Sequence, residues 1–417
     1  MSLKRRTFLG GIGAMTATAL TSGAFAQSVI DEILKTPRRG GWNDRFDTGA
    51  GAGEKVASNL PIFSAETVFY VEQAIAHYEM LVQNGGWNTV PATKRLKLGV
   101  IEPEVEMLRR RLMISGDLST GAGMSQSFDT YVDAAVKRFQ ARHGLPSDGV
   151  MGPHSYAAMN VSAPIRLAQL KTNLERLRSM SGELGQRFVM VNIPAAQIEA
   201  VENGRVILRH TAIVGKVDRQ TPILNSKINE VIINPFWNAP ESIIRKDIIP
   251  LMRNDPNYLT DNNIRLINSS GDEVDPMTVD WSTDEAAKLR FRQDPGKINA
   301  MASVKINFPN PHAVYMHDTP QQSLFNDIDR FFSSGCVRVQ NVRDLVTWLL
   351  RDTDGWDRRR FEQAIKTGES TPVALRAAVP VYFTYVSAWS TSDAVVHFRD
   401  DIYGQDGIEE LQLTSSL

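Results

Sequence analysis

One cysteine occurs in the 417 residues, Cys336, within Ser333-Ser334-Gly335-Cys336-Val337-Arg338. With no second cysteine in the chain it cannot close an internal disulfide. A lone cysteine is usually a small buried hydrophobe. Here a glycine precedes it, hydroxyls flank it, and Arg338 supplies a fixed positive charge two positions on. That setting suits a thiolate nucleophile. Such a nucleophile needs a base, and the candidate is His317. In an extended segment side chains alternate, so Tyr315 and His317 share one face while Val314 and Met316 take the other. The apolar pair can anchor the strand in a core and leave Tyr-x-His facing a cleft. A hydrogen-bonded structural histidine is the competing reading. His312, His317 and Asp318 also lie close in sequence, but a regular strand turns His312 and His317 to opposite sides. With one cysteine and no His-rich helix, neither a metal site nor a cofactor is expected.

These residues need a scaffold, and the chain divides by texture. Ser64–Val82 has a capping serine and Val68, Val71, Ile75 and Tyr78 at helical spacing. Ile165–Leu177 carries Leu170, Leu174 and Leu177 on one stripe. Residues 55–97 and 161–185 are therefore read as a helical scaffold. Between them, 98–160 reads as a three-helix module: Glu104–Leu112, then Tyr131–His143, then a helix opening at Pro153. Gly144-Leu145-Pro146, Asp148-Gly149 and Gly152-Pro153 mark turns. From Arg187 the pattern becomes strands, at Phe188–Pro194, Val206–Gly215, Ile228–Asn234, Val304–Phe308, Ala313–Met316 and Val381–Val386. Asn203-Gly204 signals a hairpin. The fold class expected is multidomain α+β, with a β-rich mixed sandwich or barrel at 186–386. Ile243, Ile244, Ile248 and Leu251 have helical spacing inside that region, so 241–303 reads as a capping insertion. Residues 387–417 form a C-terminal segment.

The first residues read as an export signal. Lys4-Arg5-Arg6-Thr7-Phe8-Leu9 has the twin-arginine form, a short apolar stretch follows, and Ala24-Phe25-Ala26 offers a cleavage site. Residues 1–26 are then a signal peptide and 27–54 a linker, rich in glycine and alanine at 47–53. The apolar stretch is too short to span a bilayer, and no integral membrane segment is expected after cleavage. The leader holds three basic and no acidic residues, so its removal takes the formal charge from −1 to −4. Nothing in that balance suggests nucleic acid as a partner. The expected location is the periplasm or cell envelope.

Ala135-Val136-Lys137-Arg138-Phe139-Gln140 and Gly144-Leu145-Pro146-Ser147-Asp148-Gly149-Val150-Met151-Gly152 resemble the peptidoglycan-binding three-helix module of cell-wall enzymes. Its other reading is a helical spacer that binds nothing. Tyr315-Met316-His317-Asp318-Thr319-Pro320, Ser323-Leu324-Phe325 and Ser333-Ser334-Gly335-Cys336-Val337-Arg338-Val339 resemble the signature of the L,D-transpeptidases. The likeness is to the large exported members with a scaffold, a peptidoglycan-binding module and a capping subdomain. Asn234–Pro240, Asp275-Pro276 and His397–Gly404 share it. Two departures stand out: Asp318 where many members have glycine, and Ser334 where many have a second histidine.

The resemblance implies acyl transfer between peptidoglycan stem peptides, forming 3→3 cross-links, with Cys336 as nucleophile and His317 as base. It also implies that the enzyme is a carbapenem target. Backbone N–H groups around Gly335 and Cys336 are expected to hold the oxyanion, with Tyr315 and Ser334 beside them. Arg338, Trp237 and Ser333 are the expected substrate contacts, Arg338 for a stem carboxylate or to favour the thiolate; an arginine packed structurally behind the loop and a core aromatic are the other readings of Arg338 and Trp237. A hydrolase or protein-anchoring enzyme of the same Cys–His logic, and a non-catalytic wall-binding protein, are the alternatives. The sequence leaves the oligomeric state open.

Overall fold

The computed structural model describes residues 58–180, 184–390 and 395–412. The expected leader at 1–26 and linker at 27–54 lie outside the described residues. Among the described residues no helix is long and apolar enough to cross a membrane.

Helix Ala65–Gln83 begins where Ser64 Oγ accepts the Thr67 N–H at 3.0 Å, which satisfies a donor the first turn cannot. Its buried face, Val71, Ile75 and Tyr78, packs with Leu170, Leu174 and Leu177 of helix Ala163–Met180. The module between them has helices Pro103–Ile114, Thr130–Arg142 and Pro153–Asn160 around Leu108, Leu112, Val136 and Phe139. Its motif residues work internally. Gln140 donates to Asp148 Oδ1 and the Val150 carbonyl at 2.8 and 2.9 Å and accepts the Gly149 N–H at 2.9 Å. The Phe-Gln and Asp-Gly elements thus fill the core and fix a turn, with Gly149 at φ +75°.

The β region opens with β1 (Arg187–Asn192), β2 (Gln197–Glu202), β3 (Arg205–Gly215) and β4 (Leu224–Ile233). Asn203 and Gly204, both at positive φ, turn β2 into β3. β2 is a strand the sequence reading left out, because Gln197-Ile198-Glu199-Ala200 lacks the β-branched density of its neighbours. Next comes the insertion, which was expected to be helical. It does hold helical turns from Glu241 to Asn254, but it also has a four-stranded sheet of β5 (Trp237–Asn238), β6 (Ile264–Ile267), β7 (Glu273–Val274) and β8 (Arg290–Gln293), in the order β5-β8-β6-β7. These strands are two to four residues long, too short to show a period of two.

The chain then returns through β9 (Val304–Asn307), β10 (Met316–His317), β11 (Phe331–Ser333), β12 (Val337–Val339) and β13 (Thr371–Thr384). The order is β11-β3-β12-β10-β9-β4-β13-β1-β2, and β2 also pairs with β3. That last pairing closes the sheet, so the domain is a barrel rather than a sandwich. Val191, Ile198, Val231, Ile306, Met316 and Val337 fill it, together with Leu345 and Val346 of helix Val342–Leu350.

The C-terminal segment is not a separate piece. The hairpin of β14 (Ala388–Ser390) and β15 (Val396–Phe398) supplies Trp389 and Phe398 to the scaffold core. Beyond it, Tyr403 joins the barrel core.

Candidate active site

β10 and β12 lie side by side and parallel, pairing Met316 with Val337 and His317 with Arg338, and the Val337 N–H donates to the Tyr315 carbonyl at 3.0 Å. Paired residues share a face and successive residues alternate. Val314, Met316, Val337 and Val339 therefore point into the barrel core, where they are buried. Tyr315, His317, Cys336 and Arg338 take the opposite face. β9 runs antiparallel to β10 with Lys305 across from His317, which adds Lys305 to the same face. Five polar side chains on three neighbouring strands thus converge, while the alternate positions hold the strands in place.

The loop carrying Cys336 is held from beneath. Ser333 Oγ donates to the Cys336 carbonyl at 2.5 Å and accepts the Gly335 N–H at 3.1 Å. Thr221 Oγ1 donates to the Gly335 carbonyl at 2.9 Å and accepts the Gly215 N–H at 2.8 Å. Tyr403 Oη donates to the Gly215 carbonyl. Gly335 has φ +110°, a conformation open to glycine and strained for other residues. Ser333 is thus a loop staple, 2% exposed, and not the substrate contact expected. The Gly335 N–H is already taken, so it cannot serve the oxyanion as expected. The Cys336 N–H makes no hydrogen bond to the described residues.

His317 is buried, and its Nδ1 lies 2.6 Å from the Asp318 carbonyl. A carbonyl can only accept, so Nδ1 carries the proton and Nε2 keeps the lone pair. Burial, and next the Arg338 charge, push the imidazole down to about 3, so it is neutral at ordinary pH. Its ring meets Tyr315 edge-on at 5.5 Å. Cys336 is half-buried. Burial pushes its thiol up, against hydrogen bonding from the Tyr315 N–H and hydroxyl and the charges of Lys305 and Arg338, which pull it down. The resting pair is therefore a neutral thiol and a neutral base, not a standing ion pair.

The remaining expected residues have other surroundings. Arg338 is 2% exposed and donates to Gln321 Oε1 at 2.9 Å. From there it acts on the site through its charge and is closed to a stem carboxylate. Trp237 is 4% exposed in the insertion core, against which Tyr315 packs, so it supports the tyrosine rather than lining a cleft. Ser334 Oγ accepts from Arg219 Nη1 at 3.1 Å, and that guanidinium also holds Asp247 of the insertion at 2.5 and 3.1 Å. Asp318 faces away from the thiol. Its Oδ2 accepts the Ser303 N–H and Oγ at 3.2 and 2.5 Å, and its Oδ1 accepts the Thr319 N–H at 2.8 Å.

Sequence reading missed Lys305, Arg219, Asp247, Thr221 and Tyr403. Lys305 had a signal: a cation between Val304 and Ile306 in a strand otherwise bound for the core. The others are brought in by tertiary pairing and left none.

Residues 186–374 match the L,D-transpeptidase catalytic domain, and residues 102–159 match a family described as "Putative peptidoglycan binding domain". A Haemophilus influenzae protein named "Putative L,D-transpeptidase" is 38% identical over 239 residues, which is 57% of this chain and 48% of that protein. The chain thus spans about half the length of that curated relative. Among solved structures, an L,D-transpeptidase from Xylanimonas cellulosilytica aligns at 18% identity over 70% of this chain and 99% of its own, with a TM-score of 0.23. One from Stackebrandtia nassauensis aligns at 13% identity over 71% and 96%, with a TM-score of 0.25. Superpositions this loose carry no weight beside the family matches. The chain thus carries a region at 186–374 that matches the L,D-transpeptidase catalytic domain, preceded at 102–159 by one that matches a peptidoglycan-binding type of domain.

Proposed function

We propose that this chain is an exported L,D-transpeptidase that forms 3→3 cross-links in peptidoglycan by a cysteine acyl-enzyme route. The observation that carries the reading is the fixed tautomer of His317, on the same face of the sheet as the single thiol. His317 Nε2 takes the Cys336 proton as the sulfur attacks the carbonyl of the L-centre of diaminopimelate in a tetrapeptide stem. The C–N bond to D-alanine breaks, and the proton on Nε2 passes to the departing amine. A side-chain amine of a second diaminopimelate then attacks the thioester. It yields its proton to Nε2, the C–S bond breaks, and the thiolate recovers that proton. The Cys336 N–H and the Tyr315 hydroxyl are the donors for the oxyanion in each half. No metal or cofactor enters these steps. The domain at 102–159 holds the enzyme on the wall.

The test is mass analysis of muropeptides after pure enzyme acts on tetrapeptide-bearing sacculi. Expected are 3→3 dimers with release of D-alanine, and neither product with Cys336→Ala. Tripeptides alone would make it a hydrolase, and bound enzyme with unchanged muropeptides a wall-binding protein. A carbapenem should add once, on Cys336, in the intact-protein mass. Loss of the first 26 residues and recovery in the periplasm would support the export reading.

A further inference from the structure

Lys305 is the fifth member of the proposed catalytic face, and its charge is one of those that pull the Cys336 thiol down. It is half-buried, and among the described residues it forms no ion pair with a carboxylate. Its ammonium instead lies over the Tyr315 ring, 4.4 Å from the centroid. A half-buried ammonium held on an aromatic face gains from the ring's quadrupole, but it gives up hydration that an ion pair would partly replace. The β9–β10 register fixes this arrangement: Lys305 is paired with His317, two residues from Tyr315 on the same face. One step before the Met316–Val337 pair, that tyrosine stands beside Cys336 on the same face, where each bears on the other's ionisation.

We infer that Lys305 is a positioning residue for Cys336: its ammonium holds Tyr315 against the thiol, strengthens the phenol as a donor, and so favours the thiolate as the proton leaves for His317. A cation over the ring withdraws electron density from the hydroxyl, and a stronger O–H donor stabilises a sulfur anion. The other charged groups around the thiol do not duplicate this. Arg338 lies beside His317 and is bound to Gln321. Arg219 is neutralised by Asp247. Asp318 is committed to Ser303, and Glu230, across the β4–β9 pair, accepts from Asn307 at 3.2 Å. The inference rests on Cys336 being the nucleophile.

The experiment is the pH profile of Cys336 alkylation by iodoacetamide, which needs no peptidoglycan and so is read apart from the cross-linking reaction. In Lys305→Met the profile should move up by about one pH unit, the lower end of what a neighbouring opposite charge contributes. Lys305→Arg should restore it, because the guanidinium also stacks on an aromatic face. In a Tyr315→Phe background the Lys305→Met shift should fall below half its size. A folded Lys305→Met whose profile superimposes on the parent overturns the inference. So does a full shift in the Tyr315→Phe background, which would make the lysine act on the sulfur directly. If Lys305→Met does not fold, Lys305→Gln is read by the same criteria. If the alkylation result holds while muropeptides stay unchanged, the tuning stands and the cross-linking reading fails.

Discussion

The helical module at 102–159 and the insertion between β4 and β9 are both tied down by buried arginine–aspartate pairs, and the two pairs reach different things. In the module, Arg142 holds Asp117 at 2.8 and 2.6 Å and donates to the Val396 carbonyl at 3.2 Å, while Arg399 donates back to the Arg142 carbonyl at 2.9 Å. His143 lies between Phe139 and Phe398, with ring centroids 3.9 and 5.7 Å away. Everything in this seam belongs to the module, the scaffold or the C-terminal hairpin. At the insertion, Arg219 holds Asp247 and also Ser334, two residues from Cys336. A buried ion pair is weak evidence for net stability, because desolvation offsets much of the attraction. Its neighbours, not its strength, decide whether the chemistry depends on it.

Breaking the two pairs side by side is the sharpest test. Arg219→Ala and Arg142→Ala each leave a buried aspartate uncompensated, and each should cost about 3–5 kcal/mol of stability in its region. Only Arg219→Ala should slow acylation by a carbapenem, by about tenfold or more, equal to about 1.4 kcal/mol in the barrier. Stopped-flow acylation and thermal melts check both. Equal slowing by the two variants would erase the distinction.

Two glycines allow the same comparison at lower cost. Gly335→Ala forces a side chain to φ +110° under the thiol. It should cost about 1–3 kcal/mol and most of the acylation rate. Gly144→Ala has φ +73°, and its new Cβ would lie 2.6 Å from Arg399 Nε. It should lower the melting temperature and leave acylation unchanged.

Acid should also separate the regions. Burial pushes His143 and His397 well below the usual histidine range, as it pushes His317 down to about 3. A histidine neutral when folded binds a proton first in the unfolded chain. Each such group therefore removes up to about 1.4 kcal/mol of stability per pH unit as pH falls below about 6.5. Asp400 and Asp406, which burial pushes up, act in the opposite sense. Melting temperature should fall from pH 7 to 5, whereas acylation by still-folded enzyme should show no acid limb near 6.5. A limb there would mean that His317 titrates normally. The smallest effect is Ser334→Ala, which removes one hydrogen bond from Arg219. It should cost about 1.5 kcal/mol or less and slow acylation a few-fold, with no effect on the seam.

The candidate pair, Cys336 and His317, was legible as a pair of candidates because its signals are local. Alternation alone put Tyr315 and His317 on one face, and the turn chemistry around Gly335 marked the thiol. Helix limits were close for the same reason: Ser64 and Pro153 announce them in one or two residues. What escaped depends on pairing across long separations. Barrel closure by β2 and β3 could not be told from a sandwich, since both bury alternating strands equally well. Arg338 and Trp237 stayed open between substrate contact and structural packing because a cation or an aromatic near a motif gives no hint of its burial. The Gly335 N–H was assigned to the oxyanion because nothing in the sequence showed that Ser333 would claim it.

Tyr403 and Gly215 are 188 residues apart, and their hydrogen bond ties down the start of the segment on which the Cys336 loop rests. A ribosome can complete that bond only after it has made both the thiol loop and β13. Until then the emerging chain carries the thiol, its base and the lysine but lacks the strut that fixes the loop, since Thr221 is braced by Tyr403 as well. On the proposed mechanism such a chain holds the reagents of an acyl transfer without the geometry to run it, so the loop is braced only once Tyr403 has emerged. Removal of Tyr403 from a mature molecule would take away that strut while leaving Cys336, His317 and Lys305 in place.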